Sequence, residues 1–208
     1  MNKKIKNYLI RGEDEKLDYK QEISSAHKIA KTMVSFANHK GGVLLIGVRD
    51  NKSIAGIRTE DEKHMLELAS AFYSKPEISI KVLEHTIGDK VVLECVIPEG
   101  EKKPYYAKGE EGKWWVYLRN KDKSLLASKI VVDVLRNQAL NKDTLIKYGK
   151  NESALLKFLE NNERITLQQF RKMVNISKLR ASRIIVKLIS AGVIRNHTYE
   201  KTEFYTLV

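Results

Sequence analysis

The sequence predicts an α+β fold: antiparallel hairpins around one central apolar strand, with helices, over residues 1–140, followed by a small helical domain with a terminal hairpin over residues 150–208. Three observations predict it. The nearly continuous apolar run Val43 to Val48 suits a strand covered on both faces, or on one face and an edge. Hairpin candidates turn at Asp50-Asn51, Gly88-Asp89 and Gly109 to Gly112. From Lys150 onward apolar residues recur at helical spacing until two short final strands. A chain of 208 residues can bury one medium core and one small one.

Taken in order, "GEDEKLDYK" leads into a short strand or turn. Ser24 or Ser25 caps a helix whose Ala26, Ile29, Ala30, Met33, Val34 and Ala37 fall on one face. Gly41-Gly42 breaks that helix, because glycine takes backbone angles closed to other residues. Thr59 and Glu62 have the spacing of a capping box, opening a helix with Met65, Leu66, Ala69, Phe72 and Tyr73 inward and ended by Pro76. "ISIKVLEHTI" and "KVVLECVIP" form a hairpin, and "KPYYAKGEEGKWWVYLRN" a second. Ser124 to Gln138 reads as a helix. Residues 139–150 have weak periodicity and are the expected inter-domain connection. The sequence has no internal repeat and no low-complexity segment.

The C-terminal pattern is helix "ESALLKFLENN", a short "RIT" segment, helix "LQQFRKMV", turn "NIS", helix "KLRASRIIVKLISAG", and strands "VIRN" and "EFYTLV". That is the layout of a winged helix-turn-helix. In the third helix Leu179, Ile185, Val186, Leu188 and Ile189 are expected inward. Lys178, Arg180, Arg183 and Lys187 are left for phosphates or base edges in a major groove, and Arg195 and Lys201 on the hairpin for backbone phosphates. The other use of such a domain is a protein contact or dimerisation.

Charge supports a polyanionic partner. Lys and Arg number 38 against 26 acids, a net +12. From Lys150 to Val208 there are 11 Lys and Arg against 5 Glu and no Asp, so half the excess lies on little more than a quarter of the chain. Aromatic residues Tyr105, Tyr106, Trp114, Trp115 and Tyr117 mingle with Lys102, Lys103, Lys108, Lys113 and Arg119. Exposed members of that set would stack unpaired bases, and strand alternation puts the others in the core. Cys95 is the one cysteine, so an internal disulfide or a cysteine metal cluster is excluded. The basic start meets Glu13, Asp14 and Glu15 before any signal-peptide core develops, and no apolar run approaches the roughly 20 residues of a membrane helix. A cytoplasmic location is the expectation. "NHKGGVLL" has its lysine before the glycines and a strand after them, the reverse of a phosphate loop. The five histidines show no paired ligand spacing.

The segments "GEDEKLDYKQ", "IAKTMVSFANHKGGVLLIGVRDNKSIAGI", "KKPYYAKG" and "WVYLR" resemble the Schlafen AlbA-type domain over roughly residues 8–138. The resemblance implies a mixed-sheet, nucleic-acid-binding domain, which in bacterial members precedes a winged helix in DNA-binding transcriptional regulators. On that reading the chain binds DNA, with RNA as a second candidate, without catalysis, cofactor or metal, and the N-terminal domain adds nonspecific affinity or forms a homodimer. The resemblance also implies an alternative. Relatives that cut RNA use three carboxylates, and the matching positions here are Glu13, Asp18 and Asp50, with Lys20 beside the phosphate and Mg2+ or Mn2+ as the activating ion. This chain differs in having Asp18 and Tyr19 where Glu and Phe are usual, which shortens one arm of that set.

Overall fold

The structure, a computed structural model, describes residues 3–140, 149–198 and 202–208. The chain divides into two compact units, Met1–Ala127 and Ser128–Val208. No helix among the described residues is long and apolar enough to cross a membrane.

The first unit runs α1 (Lys3–Arg11), β1 (Leu17–Lys20), α2 (Ala26–Asn38), β2 (Gly42–Ile46), α3 (Asp61–Ala71), β3 (Ser74–Lys75), β4 (Lys81–Ile87), β5 (Lys90–Ile97), β6 (Tyr106–Lys108), β7 (Trp114–Trp115), β8 (Tyr117–Asn120) and β9 (Lys123–Leu126). Its main sheet has the order β1-β2-β5-β4. β1 and β2 are parallel and the other pairs antiparallel, so the sheet is mixed, as the family resemblance implies.

β2 is apolar throughout because both its faces are covered. Leu44 and Ile46 join Leu93, Cys95 and Ile97 against Ile29, Met33, Val34 and Phe36 of α2. Leu45 on the opposite face joins Leu17, Tyr19 and Val92 against Ile5 of α1. Each such fully buried aliphatic chain is worth about 1.5–3 kcal/mol against exposure, so the two layers hold the sheet from both sides. Every α2 position expected inward is buried.

α1 itself is not foreseen in the sequence reading. It is tied down through Glu94, a fully buried carboxylate on β5 that accepts from Tyr8 Oη (3.0 Å), pairs with Lys4 and meets His85 Nε2 at 2.7 Å. Those partners satisfy a charge that would otherwise be costly to bury, and they hold the Glu94 carboxyl below its ordinary value despite its burial.

Three local expectations are corrected. Thr59 and Glu62 form no capping box: α3 begins at Asp61, Thr59 Oγ1 donates to Asp61 Oδ2, and Glu62 turns into the protein instead. Phe72 is 70% exposed, because it is the C-cap residue and lies past the buried stripe. Residues from Ser124 do not start a helix. Tyr117–Asn120 and Lys123–Leu126 pair as the β8–β9 hairpin, and the helix begins at Lys129.

The second unit runs α4 (Lys129–Ala139), α5 (Lys150–Asn161), α6 (Leu167–Met173), α7 (Lys178–Ser190), β10 (Ile194–His197) and β11 (Phe204–Leu207). Helix starts are well specified. Ser128 and Ser177 cap α4 and α7, and Thr166 with Gln169 makes a reciprocal capping box on α6. Leu155, Phe170, Ala181, Ile185, Leu188, Ile194 and Tyr205 form the core, and Ile130 and Val134 of α4 pack into it. α4, read from sequence as the close of the N-terminal domain, therefore belongs to this unit. Most of the expected 139–150 connection lies outside the described residues. Ile165 bridges Tyr205 and adds a third strand position beside the β10–β11 hairpin.

Candidate nucleic-acid interface

The segments that carry the sequence resemblance meet in one layered stack in the first unit. At the end of α2, the buried Asn38 amide donates to the carbonyls of Tyr105 (2.9 Å) and Tyr117 (3.0 Å), and its oxygen accepts from Tyr105 N–H (2.7 Å). One side chain thus fastens the helix to Tyr105, just before β6, and to the start of β8. Gly41 has φ +68°, and a Cβ there would lie 2.7 Å from the Ile97 carbonyl oxygen. A Cβ on Gly42 would lie 2.4 Å from the Phe36 ring, so the glycine pair both breaks the helix and lets β2 start beneath Phe36.

The other face of the stack is Arg119, whose guanidinium carbon lies 4.6 Å from the Phe36 ring centroid. Arg119 is buried, and it donates to Asp18 Oδ2 (3.2 Å), to the Asp14 carbonyl (2.9 and 3.2 Å) and to the Leu17 carbonyl (3.1 Å). Sequence reasoning groups Arg119 with cations open to phosphate. The structure instead turns it inward, and the only sequence sign of this is its alternation with Leu118 and Asn120 along β8.

A tight turn closed by Asp14 N–H to the Leu17 carbonyl (3.0 Å) brings Glu13 back beside β1, where its Oε1 accepts from Tyr19 N–H (2.8 Å). Glu13 and Asp18 are thereby brought together. Burial pushes the Glu13 carboxyl up to about 7, and its hydrogen bond to Asp18 pushes the same way. Burial works against ionised Asp18, but that same bond, Lys20 and Arg119 outweigh it and hold Asp18 below its ordinary value. Lys20 Nζ donates to Asp18 Oδ1 (3.0 Å) and the Tyr19 carbonyl (2.7 Å).

Asp50 lies on the exposed turn after Val48. Among the described residues, no group of three or more His, Cys, Asp or Glu side chains comes together to hold a metal ion. The donors present do not suit a divalent cation. Both Asp18 oxygens are engaged by cationic side chains, and Glu13 holds a proton at acidic pH that an inner ligand would have to release. Of the three carboxylates only Glu13 lines the adjoining groove of about 650 Å3, together with Arg11, Lys16 and Lys121 among others.

A family model described as Schlafen, AlbA_2 matches residues 13–128, more than half of the chain. The chain belongs to the Schlafen AlbA_2 family. The matched span ends within one residue of the first unit's end, so it takes in the mixed sheet, α2, α3 and the hairpins up to β9, while α1 precedes it. Among solved structures, the chain is similar to the DIP2311 protein of Corynebacterium diphtheriae, at 13% identity and a TM-score of 0.49 over 85% of this chain. It spans 32% of that protein's length. It is also similar to the N-terminal domain of a putative ATP-dependent DNA helicase RecG-related protein from Nitrosomonas europaea, at 22% identity and a TM-score of 0.38, over 54% of this chain and 84% of that domain. A comparison with curated protein sequences found no match.

Within the AlbA_2 domain the aromatic residues separate. Tyr105 is buried, Tyr106 and Tyr117 are half-buried, and Trp114 and Trp115 are 39% and 42% exposed. The tryptophans are therefore the members of the set with surface to offer.

In the second unit, Lys178, Arg180 and Arg183 of α7 and Arg195 of β10 are exposed. Leu179, expected inward, is 56% exposed. At about 100° per residue it falls in the same arc as Arg180 and Arg183, while Ala181, Ile185 and Leu188 point to the core. Lys187 is half-buried and lies 4.0 Å from Glu152 of α5. Lys201 lies outside the described residues. Beside α7, α4 leaves a cleft of about 880 Å3 lined by Ile130, Leu179, Arg183 and Val186 among others.

Proposed function

We propose that the chain is a DNA-binding transcriptional regulator in which the second unit acts as a winged helix-turn-helix and the AlbA_2 domain adds affinity for nucleic acid. The observation that carries this reading is the exposed arc of α7. Arg180 and Arg183 stand clear of the core on a helix that follows α6 after a short turn, with Lys178 at its open start and Arg195 on the succeeding hairpin. A helix so placed suits entry to a major groove, with arginines reaching phosphates or guanine edges and the hairpin touching the backbone. The net charge of +12 supports the same partner. Replacing Arg180 and Arg183 by alanine and measuring duplex binding across salt concentrations tests it: the salt dependence should flatten, and unchanged binding would remove α7 from the interface. The alternative, a metal-dependent nuclease using Glu13, Asp18, Asp50 and Lys20, draws support from the meeting of Glu13, Asp18 and Lys20, but no group of three such carboxylates forms among the described residues.

A further inference from the structure

The first unit carries a second feature that groove-reading by α7 leaves unused. A groove of about 360 Å3 opens where the start of α2 faces the β6–β7 hairpin, lined by His27, Lys28, Lys31, Lys108, Trp115 and Tyr117, and also by Glu110 and Glu111. Trp115 pairs in register with Ala107, which is buried, so the indole leans to the α2 side of the hairpin.

The hairpin backbone supports the indole. Gly109 lies beneath it, where a Cβ would sit 3.3 Å from the indole Cδ1 and Nε1, and Gly109 N–H donates to the Lys113 carbonyl (2.7 Å) to close the turn. His27 is positioned by the Lys108 carbonyl at Nδ1 (3.1 Å) and by an edge contact with Tyr73, centroids 4.3 Å apart. The aromatic surface is therefore ordered in advance, which lowers the entropic cost of stacking something on it.

Charge completes the pattern. Lys28 and Lys31 are exposed on α2, and neither makes an ion pair among the described residues. Lys31 Nζ lies 5.1 Å from the Tyr117 ring centroid. The first turn of α2 contains no acid. Of the two acids in the lining, Glu111 is matched by Lys113 at 3.0 Å. A ligand with flat apolar faces and regularly spaced negative charges fits this combination. In a duplex the base faces are covered by their neighbours, whereas in a single strand they are free to stack on an aromatic ring.

We propose that this groove is a binding site for single-stranded nucleic acid, in which Trp115 stacks a base and Lys28 and Lys31 hold the flanking phosphates. The proposal rests on the nucleic-acid reading above but not on α7. It divides the chain into a duplex-binding unit and a single-strand-binding unit, as suits DNA that is locally opened.

The test is a fluorescence-anisotropy titration of a labelled oligothymidylate of about 15 nucleotides, close to the upper site size of a single-strand-binding module, and separately of a labelled duplex, with the full chain. Trp115→Ala should weaken oligothymidylate binding about 5- to 150-fold, the range expected when one base–aromatic stack is removed. Trp115→Phe should retain most of the affinity and so separates stacking from folding. Lys28→Ala with Lys31→Ala should lower the salt slope by about 0.7 for each single-strand phosphate no longer neutralised. Arg180→Ala with Arg183→Ala should leave oligothymidylate binding intact while weakening the duplex. Oligothymidylate binding equal to wild type in Trp115→Ala would overturn the proposal, as would a wild-type chain that does not bind the oligonucleotide. Either result leaves the α7 reading standing if the arginine variant still loses the duplex. Loss of only the single strand in Trp115→Ala supports the groove even if α7 proves silent.

Discussion

Replacing Arg119 by methionine should unfold the first unit far more readily than loss of an exposed cation would. Methionine keeps much of the stem and the contact with Phe36, but it removes the charge partner of Asp18 and the donors to the Asp14 and Leu17 carbonyls. Breaking a buried ion pair from one side costs about 3–5 kcal/mol, because the remaining charge stays buried. Lys20 still reaches Asp18 Oδ1 at 3.0 Å, which places the expected loss near the lower end, about 3 kcal/mol. Asp18→Asn in the same background should recover part of that loss, with a coupling of about 1–3 kcal/mol for two groups that touch directly. Urea denaturation followed by tryptophan fluorescence is the suitable assay, since Trp114 and Trp115 are the chain's two tryptophans and both lie in the first unit. A loss below about 1 kcal/mol for Arg119→Met, within the range of an exposed ion pair, would refute the inward placement of the guanidinium.

Three further outcomes follow from the same stack. Gly42→Ala, whose Cβ would lie 2.4 Å from the Phe36 ring, should cost about 1–3 kcal/mol as an overpacked site in the same urea assay. Asn38→Ala leaves one N–H and two carbonyls of Tyr105 and Tyr117 without their partner. At about 1–3 kcal/mol for each stranded buried group, it should be at least as damaging as Gly42→Ala, read from thermal melts. For Glu13 the folded carboxyl is raised from 4.5 to about 7, so the folded state holds the proton more tightly than the unfolded. Its contribution is most favourable below about pH 4.5 and diminishes as pH rises through about 7. Glu13→Gln should therefore raise the melting temperature more at about pH 8 than at about pH 5, and a gain confined to acid pH would contradict the assignment.

What the sequence made legible was whatever periodicity and local chemistry decide. α2 shows its buried face because Ala26, Ile29, Ala30, Met33, Val34 and Ala37 repeat at helical spacing. α6 and α7 show their starts because Thr166 and Ser177 cap them. Where tertiary pairing decides, the sequence was silent or misleading. Leu125 and Leu126 fit a helix as well as a strand, and only pairing with Tyr117 and Leu118 makes them β9. α1 is not foreseen because what ties it down is Glu94, far along the chain, which collects Lys4 and Tyr8.

The candidate sites follow the same rule. Glu13 and Asp18 are grouped through the family resemblance and meet because a short span folds back on itself, but placing Asp50 depends on where the strand-end turn carries it. Arg119 reads as a surface cation because its partners, Asp14, Leu17 and Asp18, stand at the opposite end of the domain's sequence. Composition alone puts Leu179 in the core. Its position on the helix, in the arc of Arg180 and Arg183 and away from the buried stripe, leaves it exposed.

DNA binding through α7 is tested most directly by the salt dependence of binding to any duplex of about 25 base pairs, long enough to span two helical turns, for the wild-type chain and for Arg180→Ala with Arg183→Ala. Phosphate contacts require no knowledge of a target sequence, and removing each one lowers the slope of log K against log salt by about 0.9. A steep wild-type slope is expected, falling by about 1.8 in the double variant, with melting temperature unchanged because both side chains are exposed. Identical affinities and slopes for the two proteins would move the DNA-binding surface off α7.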